Sequence, residues 1–131
     1  MKNYFLTIAI FFLTFTSCDK DENATTNSLE GTWKLTEILA DPGDGSGTFN
    51  PISSNKKLIF DNNGNVTSNG LICDMSVETN SSTTGTYSIS NSTINSANCQ
   101  NSTIKYELNG NTLILVYPCF EACKSKYTKI Q

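Results

Sequence analysis

The chain is 131 residues long and carries nine lysines, twelve acidic residues, no arginine and no histidine, for a net charge of −3. Scattered lysines with no concentrated basic face argue against nucleic acid, and the lack of histidine removes Ser-His and Cys-His catalytic pairs together with the commonest metal ligand. The length suits one domain with one core.

The chain opens with a targeting segment. Lys2 supplies a positive start, residues 4–15 are apolar except for Thr7 and Thr14, and the small polar pair Thr16-Ser17 precedes Cys18. An apolar run of roughly 12 residues fits the hydrophobic region of an export signal and falls short of the ~20 that a spanning helix needs. Phe15-Thr16-Ser17-Cys18 resembles the lipobox of bacterial lipoproteins (Leu-Ala/Ser-Gly/Ala-Cys), with Phe15 in place of the usual Leu. That resemblance implies removal of residues 1–17, lipidation of Cys18 and a membrane partner reached through the lipid anchor. A plain secretory signal that leaves Cys18 as a thiol is the competing reading; the abrupt switch from apolar to polar sequence at Cys18 favours lipidation. Residues 18–28 follow as an acidic tether, with no bulky apolar residue before Leu29. Such a segment cannot bury enough surface to offset its ordering entropy. Asp19, Asp21 and Glu22 resemble tags that send some lipoproteins to the cell surface, and a merely solvated linker explains them equally well. The expected location is the outer membrane, on its periplasmic or cell-surface face.

Residues 29–131 form the expected domain, a series of short alternating segments parted by turn residues, with no helical period. Residues 31–39 open it, Trp33 and Leu35 on one face and Lys34 and Thr36 on the other, with a bulge or bend expected at Ile38-Leu39. A Gly-, Asp- and Pro-rich loop covers 40–55. Its two carboxylates, Asp41 and Asp44, lack the spaced ligands of a calcium loop, so no metal is expected there. Residues 57–60 and 66–68 flank an Asn-Gly hairpin signal. Over 71–77 the alternation places Leu71, Cys73, Met75 and Val77 on the inner face of a further strand and Ile72 outside. Weaker strands are expected at 85–89 and 93–97, stronger ones at 104–108 and 113–117, and a last one at 124–130, its lysines on a solvated face. Eight or nine strands at intervals of roughly 8 to 12 residues fit an antiparallel meander closed as a barrel or a sandwich.

Four cysteines follow Cys18, and an even number in an exported domain implies two disulfides with three connectivities open. Cys119 paired with Cys123 and Cys73 with Cys99 is the preferred scheme. A turn over 119–123 brings its ends within disulfide reach, whereas an extended segment would hold them about 13 Å apart. Without His or Cys-x-x-Cys pairs, metal and redox roles are disfavoured.

Gly31-Thr32-Trp33 at the head of the first strand resembles the Gly-x-Trp motif of the lipocalins. With Leu29-Glu-Gly-Thr-Trp-Lys-Leu, the Asp/Gly-rich loop, Leu58-Ile-Phe before its Asn-Gly turn, and Cys119-x-x-x-Cys123 before Tyr127, residues 29–130 are similar to small bacterial lipocalin-like lipoproteins. The resemblance implies an all-β fold, an up-and-down antiparallel barrel of about eight strands, and a small apolar ligand inside it. It also implies a basic residue from the last strand over the motif Trp, a place that Lys126 or Lys129 must fill here. Trp33, Phe60, Tyr87, Tyr106 and Tyr117 are the candidate ligand contacts, large side chains of the inner face with, in the tyrosines, an apolar body and a polar tip. Phe49 and Phe120, in loops, are candidate lid residues. The same inner face is rich in large residues, including Leu71, Met75, Val77 and Ile89, so a filled barrel that meets an envelope protein partner is the alternative. No cofactor and no enzymatic role are expected.

Overall fold

The computed structural model describes residues 27–100 and 102–131; the expected export signal over residues 1–17, Cys18 and residues 19–26 of the expected tether lie outside the described residues. Nine strands follow in chain order: β1 Gly31–Ala40, β2 Asn50–Pro51, β3 Lys57–Phe60, β4 Asn65–Ser68, β5 Thr83–Ser88, β6 Thr93–Asn95, β7 Thr103–Asn109, β8 Thr112–Val116 and β9 Cys123–Lys129. From β3 to β9 each strand pairs antiparallel with the next, and β9 returns to pair with β1. That pairing closes eight strands into an up-and-down barrel with no free edge at the seam, and β2 is an extra strand on the far half of β1.

Local chemistry explains the tight connections. Asp61 turns the β3–β4 hairpin by accepting from the backbone N–H of Asn63 and Asn65 at 2.8 and 2.9 Å, while Gly64 takes the left-handed φ of 83° the turn requires. The Asn65 side-chain amide, donating to the other carboxylate oxygen at 2.9 Å, and these backbone donors favour the charged form and hold Asp61 below the usual carboxylate range. Asp41 organises the long loop after β1 in the same way, receiving the N–H groups of Gly43, Gly45 and Gly47 at 2.7 to 3.0 Å. Its lone pairs are spent on the backbone, so this loop is a turn.

Alternation delivers one face of each strand to the interior. Leu58 and Phe60 point inward while Lys57 and Ile59 point out, and Leu113 and Leu115 do the same on β8. The core runs through Trp33, Leu35, Leu58, Val66, Ile94, Ile104, Leu113, Leu115 and Tyr127, all almost wholly buried. Every core residue and every ladder lies between Leu29 and Lys129. A chain that starts at Asp19 therefore keeps all of these contacts.

Four expectations are corrected. Residues 71–77 form no strand; they are a loop across one end of the barrel, in which Ile72 is buried and Leu71 is exposed, the reverse of the expected parity. The Cys73–Cys99 disulfide ties this loop to the short 3₁₀ turn Ala97–Cys99, and a chain drawn across the mouth cannot also lie in the wall. Ile89 is exposed at a hairpin tip, not inward. The bulge falls at Thr36, where the β1–β9 register shifts between Leu35 and Glu37, so that Ile38 packs on the core. Phe120 is fully exposed and covers nothing. Both preferred disulfides are present, with Cα–Cα distances of 5.0 Å for Cys73–Cys99 and 6.1 Å for Cys119–Cys123.

Candidate functional site

Strand directions give the barrel two ends of different character. One is sealed by the start of β1, the tips of the β3–β4, β5–β6 and β7–β8 hairpins, and the chain end. Trp33 plugs it with no exposure, its indole N–H donating to the Leu29 carbonyl at 2.8 Å. The Lys129 ammonium lies 5.3 Å from the Trp33 ring centroid and donates to the Ser28 carbonyl at 2.9 Å, so Lys129 takes the place the motif asks of a basic residue. Lys126 instead faces outward, paired with Glu37 at 2.8 Å and lying 4.1 Å over the Phe49 ring. Gly31 explains its own place in the motif: φ is 120°, and a side chain there would run into the Gln131 carbonyl. Asn27 accepts from the Gly110 N–H at 3.0 Å, so the chain approaches the barrel at this sealed end.

Three of the remaining candidate ligand contacts also lie toward the sealed end. Phe60 is buried and meets Tyr87 edge to face at 5.3 Å. Tyr87 donates to the Asp61 carbonyl at 2.6 Å, and Tyr106 to the Ser88 carbonyl at 3.2 Å. Tyr87 and Tyr106 border a surface hollow of about 670 Å³ with Leu29, Glu30, Ile89 and Leu108. A larger hollow of about 920 Å³ lies on the outer wall, lined by Asn65, Thr67, Thr84, Thr86, Asn95 and Ser96. A small one of about 240 Å³ sits on the opposite rim beside the Cys73–Cys99 bridge.

Tyr117 is at the other end, the mouth, with side chains that the sequence reading did not single out. Lys56 precedes β3 and continues its inward alternation with Leu58 and Phe60; it has no exposed surface. Its carbonyl accepts from the Leu35 N–H, and Leu35 pairs with Tyr127, which pairs with Leu113, so Lys56, Leu35, Tyr127 and Leu113 form one inward row across four neighbouring chains of the wall. The Lys56 ammonium donates to the carbonyls of Asp74 at 3.2 Å and Ser76 at 2.8 Å, fastening the 71–77 loop over the mouth. Burial pushes the Lys56 pKa down to about 8, partly opposed by the Asp74 carboxylate. Tyr117 donates to Ser125 Oγ at 3.2 Å, and burial pushes its pKa up to about 12. The Tyr127 hydroxyl is buried beside that of Tyr117, and burial, with the neighbouring Tyr117, raises its pKa well above the usual phenol range. The Asp74 carboxylate favours the protonated form of all three groups, Lys56, Tyr117 and Tyr127. The legible signal for Lys56 and Tyr127 was parity alone: each stands two residues from a neighbour on the inner face.

Among the described residues no three His, Cys, Asp or Glu side chains converge as metal ligands, and no helix is long and apolar enough to cross a membrane. The sequence pattern of the lipocalin-like domain matches residues 29–115. No curated protein and no solved structure matches the chain significantly.

Proposed function

The chain belongs to the lipocalin-like domain family, and from that footing we propose that it is a lipid-anchored envelope protein whose barrel takes up a small, largely apolar ligand through the mouth. The family's barrel is in general a non-enzymatic binding fold. The observation that carries the reading is the closure of the mouth. Among the described residues it is shut by an irregular loop instead of a strand, held by one disulfide and by Lys56 on two carbonyls. Ile72 inserts from that loop into the core, and Met75 and Val77 of the same loop pack half-buried against it, so lifting the loop withdraws an apolar plug and uncovers an apolar interior. Loops of this kind open at lower free energy than the wall they cover. The Lys2 start, the short apolar run and Cys18 support the anchor and the envelope location. A chain without histidine, whose Asp41 and Asp61 carboxylates are committed to turns, supports a carrier over an enzyme.

The second reading, a barrel filled with its own side chains that meets a protein partner, is favoured by the tight packing of Trp33, Leu35, Leu58, Ile72, Ile94 and Ile104 along the interior. Native mass spectrometry of residues 19–131 purified gently from the source cells separates the two. An excess mass shed on denaturation is the expected outcome. A bare mass, unchanged after incubation with apolar compounds, would favour the partner reading.

A further inference from the structure

The two ends of the barrel differ in charge as well as in closure. The loops at the mouth carry Asp41, Asp44, Asp74, Glu78 and Glu121, and their one lysine is the buried Lys56. At the sealed end the β5–β6 tip, Ile89-Ser-Asn-Ser92, and the β7–β8 tip, Gly110-Asn111, have no charged side chain. Glu30 and Asp61 are the acidic side chains of this end, and the Lys129 ammonium lies there too. Ile89 is 73% exposed on its tip, and Ile130 stands exposed at the same end. Ile89 also borders the hollow of about 670 Å³ with Leu29, Tyr87, Tyr106 and Leu108, and Asn27 lines that same hollow. The chain that leads from Cys18 therefore arrives beside an exposed apolar feature.

Resting on the reading that Cys18 is lipidated, we propose that the sealed end lies on the lipid surface, with the Ile89 tip and the hollow beside it set into the boundary between head groups and acyl tails and the mouth turned to the water. Nine residue steps separate Cys18 from Asn27, a reach of at most about 32 Å, so the sealed end stays near the bilayer and even a weak contact is populated. Ile89 gains from leaving water there, as do the apolar bodies of Tyr87 and Tyr106, whose hydroxyls already bond to backbone carbonyls. Charge opposes the inverted orientation. Phe120 is fully exposed at the mouth, yet Glu121 follows it directly and the Asp41 N–H donates to the Ala122 carbonyl. Seating Phe120 would bring both carboxylates against lipid phosphates and strip their water.

The test is quenching of tryptophan emission in the full chain, purified with its anchor, on vesicles of phosphatidylethanolamine and phosphatidylglycerol whose acyl tails carry bromine. Ile89→Trp and Phe120→Trp alter exposed positions outside the core, and the parent, whose one tryptophan is the buried Trp33, gives the baseline. The Ile89→Trp variant is expected to emit at shorter wavelength on the vesicles and to be quenched several-fold more than Phe120→Trp, which stays at baseline. Quenching of Phe120→Trp alone, of both alike, or of neither while Cys18 carries its acyl mass would overturn the orientation and leave the anchor reading standing. A chain without acyl mass that fails to float with the vesicles would overturn both.

Discussion

Lys56 also decides how the fold responds to pH. Its pKa falls from 10.5 to about 8 on folding, so between these values the unfolded chain holds the proton more strongly and stability rises with pH. A shift of that size corresponds to something on the order of 3 kcal/mol across the window. Tyr117 and Tyr127 act in the opposite sense at higher pH. Their folded hydroxyls keep protons that the unfolded chain gives up from about pH 10, so stability falls beyond that point. The urea midpoint is therefore expected to climb from about pH 8 to a maximum near pH 10, and Lys56→Met is expected to flatten the climb. A midpoint that declines steadily from pH 7 in the parent chain would contradict this account of the buried ammonium.

At the scale of elements, the two disulfides differ in what they hold. Cys73–Cys99 closes a separation of 26 residues, Cys119–Cys123 one of four. In the chain-entropy model the first contributes roughly 3.5 kcal/mol and the second about 2. Replacing Cys73 and Cys99 together by Ser is expected to lower stability by about the first amount, and to release amide protection over 71–77 well before the strands exchange. Equal loss of protection across the whole barrel would mean that the loop is no separate unit. The same loop shows where sequence reading reaches its limit. Hairpins announced themselves through Asn-Gly turns and short-range alternation, and β3, β4, β7, β8 and β9 lie within two residues of where those signals put them. Strand period over 71–77 was equally clean, yet alternation records only that successive side chains differ in polarity. It carries no information on whether a long-range crosslink pulls the segment out of the wall. Lys56 and Tyr127 escaped for a related reason: a charge before an apolar run reads as solvated, and lysines on both sides of Tyr127 made its strand look like an outer face. Their burial depends on closure of β9 onto β1, a contact about ninety residues apart in sequence.

For the whole molecule the anchor is the outstanding question, and Cys18→Ser answers it directly. The parent chain is expected to sediment with membranes and to carry acyl mass on Cys18, and the variant to appear in the soluble extract. Two acyl chains hold a protein stably, whereas one alone is marginal, so the parent should resist salt and release only in detergent. Unmodified Cys18 in the membrane fraction would rule the anchor out.

Asn27 docks beside Gly110 at the plugged end, and the 71–77 loop spans the other. Between them runs β1, whose ten residues measure roughly 33 Å as extended chain. The molecule thus has a direction: Asn27 joins the barrel at the stern, and the loop that covers the mouth lies at the bow. On the proposed reading, a ligand enters at the end of the barrel farther from the one where the chain joins it.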